Sequence, residues 1–122
     1  MRRSAQYNVW RALTPPPQDV PLAVCDARSV TAEDFIAADA IFDHDGAVAA
    51  SFEALLLRHS PRQHWVFYSN MRPDEALIFK TNDTDRNFAH CVPHGAFDNL
   101  DCPAGVQPRA SLEMRGIAYW FE

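Results

Sequence analysis

A chain of 122 residues has room for one domain and one hydrophobic core, not two. With 48% hydrophobic and 22% charged residues its composition is that of an ordinary globular protein, which excludes disordered, collagen-like and low-complexity classes. Eleven Lys and Arg against sixteen Asp and Glu give a formal charge of -5, so no basic surface is available to neutralise phosphates, which argues against nucleic acid as a partner. The longest apolar stretches, such as residues 36–42, fall far short of the roughly 20 residues that a membrane-spanning helix needs, and no apolar run follows Arg2 and Arg3 to make a leader. Three cysteines, Cys25, Cys91 and Cys102, are too few for a disulfide scaffold and read as packing thiols. No membrane partner and a cytoplasmic location are therefore expected.

In chain order, the first forty residues read as an extended N-terminal arm. Pro15-Pro16-Pro17 predicts a polyproline II spacer, and residues 20–25 a short buried strand. Thr31, with Asp34 three residues on, makes a near capping box and predicts one short helix over residues 32–40. Residues 50–57 suit a strand, with helix as a competitor. Residues 64–69, aromatic and β-branched between Pro61 and Pro73, are the clearest strand, and residues 76–80 are expected beside it across the turn at 70–75. Residues 88–92 and 111–121 supply two more strands; in the last, Leu112, Met114, Gly116, Ala118 and Trp120 share a face. The sum is an antiparallel, mainly β architecture of the sandwich or jelly-roll kind. Four or five strands make about half of an eight-stranded jelly roll, so residues 1–122 are expected to form a single unit, either a small open sheet or the C-terminal part of a larger domain.

The segment richest in chemistry is 88–97, with Arg109-Ala110-Ser111 downstream. If the chain stays extended through Pro93, His90 and His94 lie on one sheet face and two imidazoles meet one cavity. A histidine on one strand followed by an Arg-x-Ser is a pattern used by non-haem iron dioxygenases: the imidazole is an iron ligand, and the guanidinium forms a bidentate pair with a carboxylate of 2-oxoglutarate. Two other readings stay open on spacing alone. His94 can be a turn histidine bonded to backbone while Arg109 pairs with Glu113 on the surface, or His90, Cys91, His94 and Cys102 can surround zinc, although adjacent His90 and Cys91 would point to opposite faces. In Asp43-His44-Asp45-Gly46 a glycine stands where a metal-binding pair needs its carboxylate, so that segment reads as a turn. A nucleophile elbow, a Gly-rich phosphate loop and a Cys-x-x-Cys pair are all missing from the sequence.

Taken in succession, Asn8-Val9-Trp10-Arg11-Ala12-Leu13, residues 21–30 around Cys25-Asp26-Ala27-Arg28-Ser29, residues 65–71 with 74–80, Pro93-His94-Gly95-Ala96-Phe97, and Arg109-Ala110-Ser111-Leu112-Glu113-Met114-Arg115 closely resemble the C-terminal half of the AsaB/CmcJ-type hydroxylase/desaturase family, which includes gibberellin desaturase. The resemblance runs from about Asn8 to Phe121. It implies an oxidoreductase of secondary metabolism, similar to Fe(II)/2-oxoglutarate dioxygenases, built on a double-stranded β-helix and acting on a small molecule. By carry-over His94 is the distal iron ligand, and Arg109, assisted by Ser111, is the co-substrate clamp. Gly95 departs from the family, where a hydroxyl-bearing residue is usual. The family's first histidine and carboxylate lie before the Asn-Val-Trp block, which only seven residues precede here, so the expectation is a truncated or inactive form, pairing with a missing N-terminal half. The alternative is a degenerate β-sheet binding or scaffold module without metal, dimerising through an open strand edge.

Overall fold

The computed structural model describes residues 2–121. Eight strands form: β1 (Arg3–Ala12), β2 (Leu22–Cys25), β3 (Phe35–His44), β4 (Ala47–Leu57), β5 (Trp65–Phe67), β6 (Leu77–Asp83), β7 (His94–Ala96) and β8 (Ser111–Trp120). They make two antiparallel three-stranded sheets, ordered β6-β1-β8 and β5-β2-β7, and a separate β3-β4 hairpin. The mainly β expectation holds. The expected N-terminal arm does not: β1 is the central strand of the larger sheet, because its alternation buries Asn8, Trp10 and Ala12 on one face. The proline run is not a uniform spacer either, since the Pro16-Pro17 bond is cis.

Three further expectations are corrected. The helix predicted over 32–40 is only a 3₁₀ turn, Ala32–Asp34. The Asp34 carboxylate accepts from both the N–H and the hydroxyl of Thr31, so the capping signal was sound for one turn. Beyond it β3 forms, because Asp45 and Gly46, both with positive φ, make a two-residue hairpin loop that sets Phe35 opposite Leu57 and His44 opposite Ala47. Cross-strand pairing then overrides the helical preference of Ala37, Ala38 and Ala40. Residues 65–67 and 77–83 are not hairpin partners: β5 pairs with β2 and β6 with β1, so the turn at 70–75 carries the chain from one sheet to the other. Residues 88–92 form no strand; Cys91, at φ 52°, breaks the extended run and pairing starts at His94.

The two sheets meet over Trp10, Ala12, Met71 and Phe79, with Leu22, Val24 and Leu77 against them. The larger sheet is locked at one corner. Asp83, whose side chain is wholly buried, accepts from Arg3 Nε at 3.0 Å and Nη2 at 2.7 Å, from Lys80 Nζ at 2.7 Å and from the Asp85 N–H at 3.0 Å. Arg3 lies over the rings of Phe88 and Trp120, at 3.7 and 4.5 Å from their centroids.

The surface is large for the mass. The chain exposes 8749 Å², whereas a compact monomer of 13.8 kDa would expose roughly 6,600 Å². The excess lies on apolar residues. Ile78, Leu112 and Met114 stand exposed on the outer face of the larger sheet. One face of the hairpin consists of Ile36, Ala38, Ala40, Phe42, Ala50, Phe52, Ala54 and Leu56. The outer edges of β7 and β8 pair with no strand among the described residues.

Phe79→Ala is expected to remove about 3–5 kcal/mol of stability in a urea titration, since it empties the contact between the sheets. The Arg3 hydrogen bonds, followed by those from Lys80 and the Asp85 N–H, hold the Asp83 carboxyl well below the usual carboxylate range. Its folded value is depressed, so its contribution is complete above the unfolded value near pH 4 and disappears as pH falls through the folded one. The urea midpoint of Asp83→Asn should accordingly be lower at neutral pH and flatter than that of the parent on the acid side.

Candidate functional site

His94 opens β7, opposite Val24 of β2. Two contacts define its ring. Nδ1 lies 3.0 Å from the Val92 carbonyl, and since a carbonyl can only accept, the contact assigns a proton to Nδ1, which in the neutral ring leaves the lone pair on Nε2. Phe79 packs against the ring with centroids 4.6 Å apart. This is the backbone contact of the turn-histidine reading that the sequence left open, and His90 makes the same kind of contact with the Phe88 carbonyl at 3.3 Å; a ring held in this way can also present Nε2 to a metal. Among the described residues no group of three or more His, Cys, Asp or Glu is placed to hold a metal.

His94 shares a cavity of about 420 Å³ with residues of six other strands. Gln6 and Asn8 come from β1, Thr81 from β6 and Arg115 from β8; Phe35 and residues 54–57 of the hairpin, with Trp65, form the opposite wall. The register explains the polar wall. Ser111, Glu113 and Arg115 pair with Ala12, Trp10 and Asn8, and so share the inward face of the sheet, while Leu112 and Met114 point outward. Asn8 donates through Nδ2 to Glu113 Oε1 at 2.9 Å, and Arg115 Nε donates to the same oxygen at 3.2 Å.

Arg109 is not among the residues that line this cavity. Its N–H donates to Asp19 Oδ1 at 2.9 Å, its Nη1 to the Ser111 hydroxyl, and its guanidinium lies 5.6 Å from the centre of the Trp10 ring. Its Nε is buried and has no acceptor among the described residues. His94 and Arg109 are thus joined through one cluster, His94 against Phe79 and Arg109 against Trp10. The pairing of Arg109 with Glu113 that the sequence left open is not made; Glu113 takes Asn8 and Arg115 instead.

The expectation that His90 joins His94 is corrected. The left-handed Cys91 turns His90 away, and it lines a different cavity beside Arg86 and Asn87. Asn8, Glu113 and Arg115 were missed. A signal for two of them was present, since period two from Ser111 puts residues 113 and 115 on the same face; the apolar residues between them drew attention to the other.

Residues 1–119 match the family model described as an oxidoreductase/YMDC permease-like domain, and the chain belongs to that family, the one of the AsaB-type hydroxylase/desaturases. It is 38% identical over 128 residues to hydroxylase/desaturase asaB of Aspergillus flavus, covering 97% of this chain and 56% of that protein. It is 31% identical over 126 residues to the gibberellin cluster GA4 desaturase of Gibberella fujikuroi, covering 98% of this chain and 35% of that one. The fold is similar to that of the iron and alpha-ketoglutarate-dependent endoperoxidase NvfI, with a TM-score of 0.81 and 28% identity over 98% of this chain and 42% of that one. The chain therefore spans about a third to just over half the length of these relatives. Among the described residues no helix is long and apolar enough to cross a membrane, a statement that does not bear on β-barrels.

The ring assignment is directly measurable. Long-range ¹H–¹⁵N NMR of His94 at pH 8 should show a protonated Nδ1 and a pyridine-like Nε2, and Phe79→Ala should broaden these signals by releasing the ring.

Proposed function

We propose that residues 1–122 form the C-terminal part of an Fe(II)/2-oxoglutarate-dependent hydroxylase/desaturase domain of secondary metabolism, acting on a small molecule. The observation that carries the reading is His94, with Nδ1 engaged by a backbone carbonyl and Nε2 left for a metal at the wall of a cavity. His94 is the iron ligand contributed by these residues. Arg109 and Ser111 hold a carboxylate of the co-substrate: the buried, unpartnered Nε of Arg109 supplies the donor, Ser111 fixes the guanidinium, and Trp10 shields it from water. When bound, iron supplies oxygen activation and oxidative attack on a C–H bond, chemistry that no side chain provides. The chain's own task is orientation. Val92 and Phe79 fix the imidazole, and the polar and apolar walls position the substrate beside it.

A stable iron centre needs a second imidazole and a carboxylate, which the family resemblance assigns to a segment upstream of Asn8. Three observations support a further segment: the unpaired outer edges of β7 and β8, the excess of exposed apolar surface, and the greater length of the relatives. The same surface fits a second reading, a metal-free scaffold that dimerises. Mass by light scattering together with an iron titration separates the two.

With Fe(II) and O₂ the 122-residue chain alone is expected to form no succinate from 2-oxoglutarate, whereas the protein extended by a segment bearing His-x-Asp or His-x-Glu does. In that extended protein His94→Ala should abolish turnover. Arg109→Gln should raise KM for 2-oxoglutarate about 10- to 100-fold, the worth of a charge-assisted pair. Turnover by the short chain alone overturns the reading.

A further inference from the structure

The cavity at His94 has two chemically unlike walls, and the nature of each restricts what can lie between them. On the sheet side the charged group is Arg115. Its Nε is engaged by Glu113 Oε1, and that oxygen is held from the other side by Asn8, which is 1% exposed. The guanidinium is thus braced at one nitrogen, and its two Nη groups donate to nothing among the described residues. A braced, planar pair of donors matches a carboxylate, with Arg115 bridging it to Glu113. On the hairpin side Phe35, Leu55 and Leu57, which share one face of the hairpin, and Trp65 offer only hydrocarbon and ring surface, and Leu55 is half exposed.

We infer that the cavity takes an amphiphilic carboxylate, its hydrocarbon body against Leu55, Leu57 and Trp65 and its carboxylate on Arg115. This deepens the reading of His94 given above by naming the substrate class, and it rests on that reading only for calling the ligand a substrate. The co-substrate is the other possible source of a carboxylate. A short dicarboxylate has no body to lay on the hairpin wall, and its water-exposed chain would leave that wall uncovered. An amphiphile satisfies both walls at once and fixes which of its carbons faces His94.

The test uses the metal-free 122-residue chain in an ¹H–¹⁵N NMR titration with 4-cyclohexylbutanoate, 4-cyclohexylbutanamide and 2-oxoglutarate, followed at the amides of residues 54–57 and at Arg115 Nε–H. The acid is expected to bind about tenfold more tightly than the amide, as a charge-assisted hydrogen bond provides. Arg115→Gln should make acid and amide equal, and Leu55→Ser should weaken both about threefold. 2-Oxoglutarate at equal concentration should not displace the acid. Equal binding of acid and amide to the parent chain overturns the proposal, and so does displacement by 2-oxoglutarate, which would give Arg115 to the co-substrate. The parent chain decides this by itself if a variant does not fold. Because iron is absent, failure here leaves the turnover test of His94 untouched, and failure of that test leaves this binding result standing.

Discussion

The buried carboxylate of Asp83 is the point on which the larger sheet depends. A charge removed from water is tolerable only when every lone pair is met, and Arg3, Lys80 and the Asp85 N–H meet both oxygens. Arg3 is fixed in turn between the rings of Phe88 and Trp120. One ion therefore ties the first strand to the sixth and the eighth, and with them residues 3, 83 and 120, which the chain itself holds far apart. With β1 in register between its neighbours, Asn8, Trp10 and Ala12 point inward together with Ser111, Glu113 and Arg115. Every element of the candidate site on that sheet follows from this register, because a slip of one residue would turn the polar wall outward.

Beside the apolar core of Trp10, Ala12, Met71 and Phe79 the structure leaves apolar surface uncovered. The first half of the inward face of β8, Ser111, Glu113 and Arg115, is polar, and its outward face, with Leu112 and Met114, is apolar and exposed. The hairpin repeats the pattern, with one face built of Ile, Ala, Phe and Leu alone. Water on both is unfavourable at about 25 cal/mol per Å², so these faces are built to be covered. The cavity lined by Arg115, Asn8 and Gln6 and by the hairpin residues has in turn one polar and one apolar wall, a lining suited to small molecules.

Local chemistry was legible where it was decided locally. The Thr31/Asp34 cap, the Asp45-Gly46 turn and the strands expected at 20–25, at 50–57 against a helical competitor, and at 111–121 were marked by residue type, and the structure has the cap, the turn and strands at Leu22–Cys25, Ala47–Leu57 and Ser111–Trp120. Partnership was not legible. Residues 65–67 and 77–83 look like a hairpin because they are close in sequence, yet they enter different sheets, and β1 looks like an arm because both of its partners lie more than sixty residues away. The strand expected at 88–92 failed for a local reason that residue type conceals, the left-handed backbone of Cys91, a residue that seldom adopts it.

The sequence by itself determined the mainly β class, the succession of blocks that places the chain in its family, and the choice of His94, Arg109 and Ser111 as residues of interest. These are properties of residue identity and order, which survive without knowing what touches what. Only the tertiary structure decided that His90 leaves His94, that Arg109 lies against Trp10 and does not line the cavity, and that Asn8, Glu113 and Arg115 line or brace its wall. Each of these is a matter of strand register and sheet packing, set by long-range pairs such as Asn8 with Arg115 and by one buried ion, and no window of neighbouring residues contains them.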